Sequence, residues 1–472
     1  MTKPVTPLEW LPVLTKRLDD RRPRVETLRS YVNGQAPLPE MARNVRASWE
    51  RFQRKARTNF GELIIEALAE RLIVNGVTVG NSTEDDVRAR EIWVRNRMDI
   101  AVGDAIRDML TLSIGYMVVG MGPNGEAVVT AERPEFMYAA TDPLRPWVAR
   151  AAVKVWRDID ASMDYAYVWA NGERAMFERS MYLTEEQARI QKLRTGAQGG
   201  WEMVEGSTET YEGDPPVVVF ENHEETGEFE THVDLIDRIN LGLLQRLVTV
   251  AMQAFRQRAI RGGLPQTDEA GNPIDYSATF APAPGALWDL PEGLDIWESQ
   301  DSASGIHAML SAVKDDIRDL AAVTRTPTAV LMPDAANQAA EGAAFAREGL
   351  VFKAYDRIAR IRPSLNELMK RALQIEDGDF DEMVDTIWAP PEHVSMSEKY
   401  SAAVQAKAAD VPWRTRMLDI LGFSADKVDQ MAIARAEEEI TMSALFMDSV
   451  PETSGPAALT GPTEEFLDGT VD

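Results

Sequence analysis

Two long stretches with apolar residues at helical spacing constrain this fold most strongly; a segment rich in glycine, proline and aspartate separates them. The first predicts one helix from residue 235 to about Arg261, where Gly262-Gly263 would end it. The second predicts a helix that runs from 306 and ends near Thr326-Pro327. These two helices carry more apolar surface than one helical hairpin can bury, so neighbouring subunits should cover the rest.

The remaining segments predict a mixed α+β fold in which helices predominate. A third long helix is expected from about 341 to 375, with a kink at Pro363, and residues 328–340 predict a loop before it. Asn59 can cap a helix that a turn at Asn75-Gly76 would end. Further helices are predicted at 8–31, 39–58, 84–115 (two), 395–409, 412–421 and 424–442, and strands at 116–119, 127–130, 148–156, 165–169, 175–179 and 217–220.

Composition excludes several classes of protein. The chain has 472 residues and a formal net charge of −26, which argues against a basic surface that searches for DNA. Cysteine is absent and the four histidines lie far apart, so thiol chemistry is excluded and a zinc site is not expected. The N-terminus lacks the pattern of a signal peptide, and no run of 18 apolar residues occurs. We expect a protein without a membrane span that acts in the cytoplasm or in a particle assembled there.

Two motifs that suggest chemistry have simpler interpretations. Gly120–Gly125 matches GxGxxG, but Pro123-Asn124-Gly125 predicts the turn of a β-hairpin rather than a dinucleotide site. Asp377–Asp381 begins like a calcium loop, yet Glu382 and Trp388 occupy the positions of its glycine and glutamate, so a solvated acidic turn is favoured. No P-loop and no GxSxG pattern occurs. We therefore predict no enzyme, no catalytic residue, no cofactor and no metal site.

The charge is distributed unevenly along the chain. From Glu376 to Asp472 there are 21 acids and 6 bases, and residues 449–472 predict an acidic, disordered tail. The N-terminal part instead contains a basic helix, for which a solvated helix face is the favoured interpretation. Its cations are Arg43, Arg46, Arg51, Arg54, Lys55 and Arg57.

A series of short segments follows the predicted elements in order: Leu28–Gly34, Asn59–Gly76, Ile114–Gly120, Lys154–Trp156, Pro216–Asn222, Asp234–Asn240, Leu320–Pro327, and a loop with Asn337 and Ala340-Glu341. In this order, the series resembles the portal proteins of tailed double-stranded DNA phages, most of all the branch typical of long-tailed siphophages. The likeness covers about residues 15–445 and rests on the series rather than on one motif. The loop departs from it, because Ala339–Ala343 replaces the Ser-Gly-x-Ala-like residues common in such proteins.

The resemblance implies a portal fold with an α/β wing, a two-helix stem, a small clip, a kinked long helix and a helical crown. Its expected divisions are 1–233 (wing), 234–261 (first stem helix), 262–305 (clip), 306–327 (second stem helix), 328–340 (tunnel loop), 341–394 (long kinked helix from wing to crown), 395–448 (crown) and 449–472 (acidic tail).

The resemblance also implies a role for particular residues. The tunnel loop would approach DNA through Arg325, Asp334, Asn337 and Gln338; the clip would contact its partners through Trp288, Leu290 and Trp297; and the stem would pack between subunits through Leu243, Leu247, Val250, Val313 and Ile317.

The implied function is a ring of about twelve subunits at one capsid vertex of the virion, assembled in the host cytoplasm. Double-stranded DNA would pass through it without sequence preference during packaging and ejection. The implied partners are the terminase large subunit, the head–tail adaptor and the major capsid protein, with a scaffold as a further candidate. Two alternatives stay open: a different phage head or connector protein, and a metal-dependent hydrolase built on the acidic clusters.

Overall fold

A computed structural model describes most of this chain. The described residues are 4–39, 46–82, 84–145, 147–181, 200–254, 258–261, 267, 270–271, 273, 295–298, 303–332, 340–392 and 396–448. Several residues that are predicted to contact DNA or partner proteins lie outside the described residues: Trp288, Leu290, Asp334, Asn337 and Gln338. The side chain of Trp297 also lies outside them. The predicted acidic tail, 449–472, also lies outside the described residues.

Helices predominate over strands, as the sequence predicts: in the part of the chain that the structure describes, 53% of the residues are in helix and 20% in strand. The helices are α1 (Pro7–Val32), α2 (Arg46–Ala56), α3 (Phe60–Ala69), α4 (Val87–Arg95), α5 (Met98–Leu112), α6 (Val233–Ala254), α7 (Ala303–Thr324), α8 (Thr328–Leu331), α9 (Ala340–Glu376), α10 (Met396–Ala408), α11 (Trp413–Thr415) and α12 (Ala425–Asp448), with a π-helical turn at Arg416–Ile420.

The strands form small antiparallel sheets among the described residues. They are β1 (Val74–Val79), β2 (Ile114–Met121), β3 (Ala127–Glu132), β4 (Met137–Thr141), β5 (Ala149–Asp158), β6 (Met163–Ala170), β7 (Glu173–Ser180), β8 (Glu202–Met203), β9 (Glu209–Thr210), β10 (Val217–Glu221), β11 (Arg258–Arg261), β12 (Asp295–Glu298) and β13 (Val384–Trp388). The largest sheet has the order β4-β5-β6-β7-β8, with β9 also paired to β7. A second sheet has the order β10-β2-β3, and β1 pairs with β13.

Helix α1 begins at a capping box that the sequence encodes directly. The Thr6 side chain accepts from the Glu9 amide, the Glu9 carboxylate accepts from the Thr6 amide, and Pro7 occupies the first helical turn. The first half of α1 packs on one face of the large sheet, where Leu14 and Leu18 are almost fully buried. Its second half joins the main core, in which α3, α5, α6, α7 and α9 also take part.

Helices α6 and α7 lie antiparallel. Thr249 contacts Met309, a Cβ added at Gly242 would meet Val313, and Arg238 pairs with Asp316. An alanine at Gly242 would place its Cβ 2.8 Å from the Val313 Cγ2, so glycine allows the two helices to approach this closely. The antiparallel pair β11 and β12 lies between α6 and α7 along the chain.

Most predicted elements are confirmed within a few residues, including the hairpin at Gly120–Gly125, where β2 pairs with β3. The first long helix is shorter than predicted, because 258–261 form a strand with Asp295–Glu298. Periodicity in one segment gives no information about such a distant partner. The loop prediction is wrong at its start: Pro327 leads into the helical turn α8, held by buried Leu331.

The predicted turn at Asn75-Gly76 is also wrong. These residues lie in β1, and the register of the pairing with β13 shifts between Val74 and Gly76, as it does at a β-bulge. Val77 and Val79 are buried there. Strand β13 likewise shows that the division 341–394 is not helical throughout, because α9 ends at Glu376. Helix α9 runs without interruption through Pro363, and the kink stays a prediction.

Residues 396–448 belong to a separate compact unit. Its small core consists of Ala403, Met417, Leu421 and Val428, and Gly422 closes the π-helical turn in a left-handed conformation. The helices predicted here are confirmed. In the part of the chain that the structure describes, no helix is long and apolar enough to cross a membrane.

Two carboxylates flank Arg29 of α1, and their protonation should make the stability of the fold depend on pH. Arg29 lies 2.7 Å from the Asp108 carboxylate and 2.9 Å from that of Glu135. Burial raises the pKa of Asp108 to about 6, although Arg29 opposes the shift. Burial also acts to raise the pKa of Glu135, but the hydrogen bond from Arg29 and the charges of Arg29 and Arg133 together outweigh it and hold that pKa below its ordinary value.

We predict that Asp108→Asn removes part of the pH dependence of stability. Between the unfolded pKa of 3.8 and about 6, the folded state holds a proton on Asp108 that the unfolded state has lost. Asp108 therefore makes the free energy of unfolding fall as pH rises through this window, by up to about 3 kcal/mol. Urea unfolding at several pH values across this window measures the free energy of unfolding. As pH rises, that free energy should fall less for the variant than for the wild type.

The matched control is Glu135→Gln, which should change the pH dependence of the free energy of unfolding in the opposite direction. Because the folded pKa of Glu135 is lowered, its contribution is present above the unfolded value of 4.5 and lost as pH falls. Equal slopes for the wild type and Asp108→Asn would contradict the raised pKa.

Candidate functional site

The end of α7, the start of α6 and the middle of α9 meet around a polar cleft of about 520 Å³. Its lining includes Asn222, His232, Val323, Arg325, Phe352 and Lys353. A neighbouring groove of about 570 Å³ lies between the start of α6 and the end of α7 and shares His232 and Val323 with the cleft. Along the chain, the lining residue Arg325 comes three residues before the predicted tunnel loop, 328–340.

A buried carboxylate, Glu228, organises the junction. Lys353 Nζ lies 2.5 Å from one of its oxygens and Arg357 Nε donates to the other at 2.6 Å. Asn222 also donates to Glu228, at 3.0 Å. All three side chains are buried: the exposed fraction is 2% for Glu228 and about a tenth for each cation. One acid thereby joins the segment after β10 to two successive turns of α9.

The same network reaches the end of α7. Lys353 Nζ donates to the Thr324 carbonyl at 3.0 Å, at the C-terminal end of that helix, where a positive charge is favourable. Thr324 is itself buried, and its hydroxyl donates to the Leu320 carbonyl and lies 3.0 Å from the Thr326 hydroxyl. The last turn of α7 is therefore fixed to α9 by buried polar contacts rather than by apolar packing alone.

Burial and charge compete at these groups. Burial would raise the pKa of Glu228, but the charges of Lys353 and Arg357 outweigh it and hold that pKa below its ordinary value. Burial lowers the pKa of Lys353, and the neighbouring cations Arg357 and Arg325 lower it further against the attraction of Glu228. Two cations thus share one carboxylate, which stays ionised at neutral pH.

Arg325 is the predicted DNA-contact residue that the structure describes. It follows α7 directly, with φ of 55°, a left-handed conformation that costs energy for a side chain with a Cβ. Its side chain is exposed at the cleft and has no acidic partner among the described residues. Arg325 therefore presents, three residues before the predicted loop, a positive charge that no described acid neutralises.

The predicted stem residues divide into buried and exposed groups. Val313 and Ile317 are 6% and 9% exposed and belong to the core of a single chain, so they have little surface left for a neighbour. Leu243 and Leu247 are partly buried, and Val250 is 48% exposed. Their packing between subunits stays a prediction. Sequence reasoning missed two exposed residues on the same helices, Leu241 and Val323.

Sequence reasoning also missed Glu228, Lys353 and Arg357. One signal was available: Lys353 and Arg357 are four residues apart and lie among apolar residues that face the core, such as Ala354 and Ile361. That pattern indicates two cations with a buried counter-ion. It does not identify Glu228, because the acid comes from a segment that only the fold brings close.

The acidic clusters do not assemble a metal site in the described part of the chain. No group of three or more histidine, aspartate or glutamate side chains lies close enough there to hold an ion. The turn at Asp377–Asp381 is stabilised by cations instead, because Asp377 pairs with Arg88 and Asp381 with Lys370. This agrees with the solvated acidic turn that the sequence predicts.

We predict that Glu228→Gln destabilises the chain by about 3–5 kcal/mol, because buried Lys353 loses its acidic partner and Arg357 keeps only the partly exposed Asp356. The free energy of urea unfolding at neutral pH measures the loss. The control is Asp356→Asn, because Asp356 pairs with Arg357 and Arg360 but is 43% exposed, so its loss should cost less than about 1 kcal/mol. Equal losses for the two variants would contradict the central position of Glu228.

Comparison with solved structures finds chains from the necks of GTA particles. A chain of the neck of the native particle, computed with C12 symmetry, is 12% identical with a TM-score of 0.43; the match covers 84% of this chain and 99% of that one. A chain of the neck of the empty particle, computed with C6 symmetry, has the same identity and TM-score, and the match covers 84% and 94%.

Comparison of sequences is more informative. The portal protein of Mycobacterium phage D29 is 24% identical over 408 residues, which cover 80% of this chain and 78% of that protein. The family profile described as "Phage portal protein, SPP1 Gp6-like" matches residues 12–444. This match takes in the helix pair, the junction around Glu228 and nearly all of the C-terminal helices. The chain therefore belongs to the phage portal protein family, the structural head-to-tail connectors of tailed phages.

Proposed function

We propose that about twelve copies of this chain close into a ring at one vertex of a phage capsid, through which double-stranded DNA enters during packaging and leaves during ejection. The observation that carries the proposal is the family match over residues 12–444. A portal protein is a component of the virion, and we infer that the ring assembles in the host cytoplasm before the capsid is filled.

We assign the elements of the fold to the parts of a portal subunit. Helices α6 and α7 would form the stem, and the strand pair β11 and β12 would begin the clip. Residues 333–339 would form most of the tunnel loop, α9 would connect wing and crown, and 396–448 would be the crown. The junction at Glu228 would hold the stem, the tunnel loop and α9 in fixed register, so that force on one reaches the others.

Exposed apolar residues on the stem helices are the proposed contacts between subunits. Leu241 is 37% exposed, Val250 is 48% exposed and Val323 is 50% exposed in a single chain. A head-to-tail interface in a closed ring buries two different patches of each subunit, so each patch lies against a different one on the next copy. We assign these residues to that interface, with Leu243 and Leu247 beside them.

We predict that Val250→Asp prevents ring formation while leaving the subunit folded, because Val250 is half-exposed in one chain and a buried aspartate at an interface is costly. Particle mass by light scattering and thermal unfolding would measure assembly and folding separately. The matched control is Val87→Asp, at a residue that is 69% exposed at the start of α4, which should assemble normally. Rings of normal mass from Val250→Asp would contradict the stem interface.

Charge is the proposed reason that DNA slides rather than binds. A net charge of −26 per chain repels phosphates, and each cation that contacts a phosphate adds affinity by releasing counterions. The tunnel loop carries Asp334, Asn337 and Gln338 and no base, so it can touch DNA without holding it. Arg325, at its start, is the proposed cationic contact.

We predict that the double variant Asn337→Lys with Gln338→Lys packages DNA more slowly, most of all at low salt, because the added charges bind phosphates. Packaging rate in assembled procapsids, measured against salt concentration, tests this. A double variant with glutamine–asparagine exchange, Asn337→Gln with Gln338→Asn, keeps the charge and should package normally. An unchanged rate for the lysine variant at every salt concentration would remove the loop from the DNA path.

The clip is the proposed docking surface for other proteins. Trp288, Leu290 and Trp297 are aromatic and apolar residues of the kind that dominate protein interfaces. We propose that the terminase large subunit binds there during packaging and supplies ATP hydrolysis, and that the head–tail adaptor replaces it afterwards. The major capsid protein, and a scaffold during assembly, would surround the ring.

A further inference from the structure

Helix α2 packs against the stem helix α6, and Thr58, two residues beyond the C-terminal end of α2, is hydrogen-bonded to that stem helix. The Thr58 amide and hydroxyl both donate to Asn240 Oδ1, at 3.0 and 2.7 Å. Gln53 is 1% exposed and donates to the Pro39 carbonyl at 2.6 Å, and Ala56 is equally buried. Because Gln53 and Ala56 are one turn apart, they define the inner face of α2, and its outer face is thereby fixed relative to the stem.

The outer face of α2 is cationic. Arg51, Arg54 and Lys55 are spaced at i, i+3 and i+4, so they share one face of the helix, and all three are exposed. Residues 51–57 contain four cations and no acid. Arg54 pairs with Glu50 of the preceding turn, but Arg51 and Lys55 have no acidic partner in the part of the chain that the structure describes. In a chain of net charge −26, this surface is locally positive and largely unneutralised.

The acids of α7 are already paired within the chain. Asp315 pairs with Arg318, and Asp316 and Asp319 both pair with Arg238 of α6. Among its described residues, the helix pair of a second copy would therefore offer α2 only the two acids of α6, Asp234 and Asp237. A DNA duplex offers one phosphate charge per about 1.7 Å of its axis, so it matches three cations within a single helical turn.

We propose that the outer face of α2 binds the phosphate backbone of double-stranded DNA without reading its sequence. The inference rests on the proposed function, in which DNA passes through the ring, and it adds a second contact surface to that of the tunnel loop. Arg51, Arg54 and Lys55 each neutralise a phosphate and release counterions, and none of them reaches a base edge. The contact is reversible and weak at high salt, so it guides DNA along the ring while the acidic surface elsewhere repels it.

The test is DNA binding by assembled rings of the full chain. A fluorescently labelled duplex of arbitrary sequence is titrated with the rings by anisotropy over a series of salt concentrations. The variant is Arg51→Gln with Lys55→Gln, which removes two charges. The control is Lys16→Gln with Arg17→Gln, which removes two exposed charges from α1. Ring mass is measured for each protein before titration.

The proposal expects the α2 variant to form normal rings, to lose at least tenfold in affinity at low salt, and to lower the slope of log affinity against log salt by about 2. The control should match the wild type. An affinity and slope equal to the control would overturn the proposal and leave the ring and tunnel-loop assignments untouched. Loss of rings in the α2 variant alone would also overturn it, because α2 would then contact a second copy. A wild-type protein without rings would instead contradict the proposed function.

Discussion

One buried carboxylate connects three separate segments of this structure. Glu228 is almost inaccessible and is shared by Lys353 and Arg357 of α9, and Lys353 also donates to the last carbonyl of α7. Removing one partner from such a group leaves an unpaired charge in a low-dielectric environment, which costs far more than a surface ion pair. The end of α7, the segment that follows β10 and the long helix α9 therefore depend on one set of contacts.

The sequence predicts the elements of this fold well where a pattern is local. The apolar periods predict α6, α7 and α9, and the Gly-Pro-Asn turn predicts the β2–β3 hairpin; each of these signals lies within one short segment of the chain. Failures occur where a distant partner decides the conformation. Arg258–Arg261 continues a helical pattern yet becomes a strand because Asp295–Glu298 pairs with it, and Asn75-Gly76 enters a strand because Val384–Trp388 does the same.

The candidate site was predicted only in part, for the same reason. Arg325 was singled out as the cation before the loop, and it is indeed exposed and without an acidic partner among the described residues. Val313 and Ile317 were expected between subunits, yet they are buried within one chain, because apolar periodicity does not distinguish an inner face from an interface. Glu228 could not be found, since nothing near it in the sequence indicates two cations that lie on a helix far along the chain.

The proposed ring is closed through the α6–α7 pair of each copy, and images of the purified full-length protein by electron cryomicroscopy test it most directly. We expect particles with cyclic symmetry and a central channel, and for twelve copies a mass of about 630 kDa, twelve times the 52.5 kDa of the chain. The helix pair should lie at the contact between neighbouring copies. Monodisperse single chains at micromolar concentration, or rings in which α6 and α7 do not touch the next subunit, would contradict it.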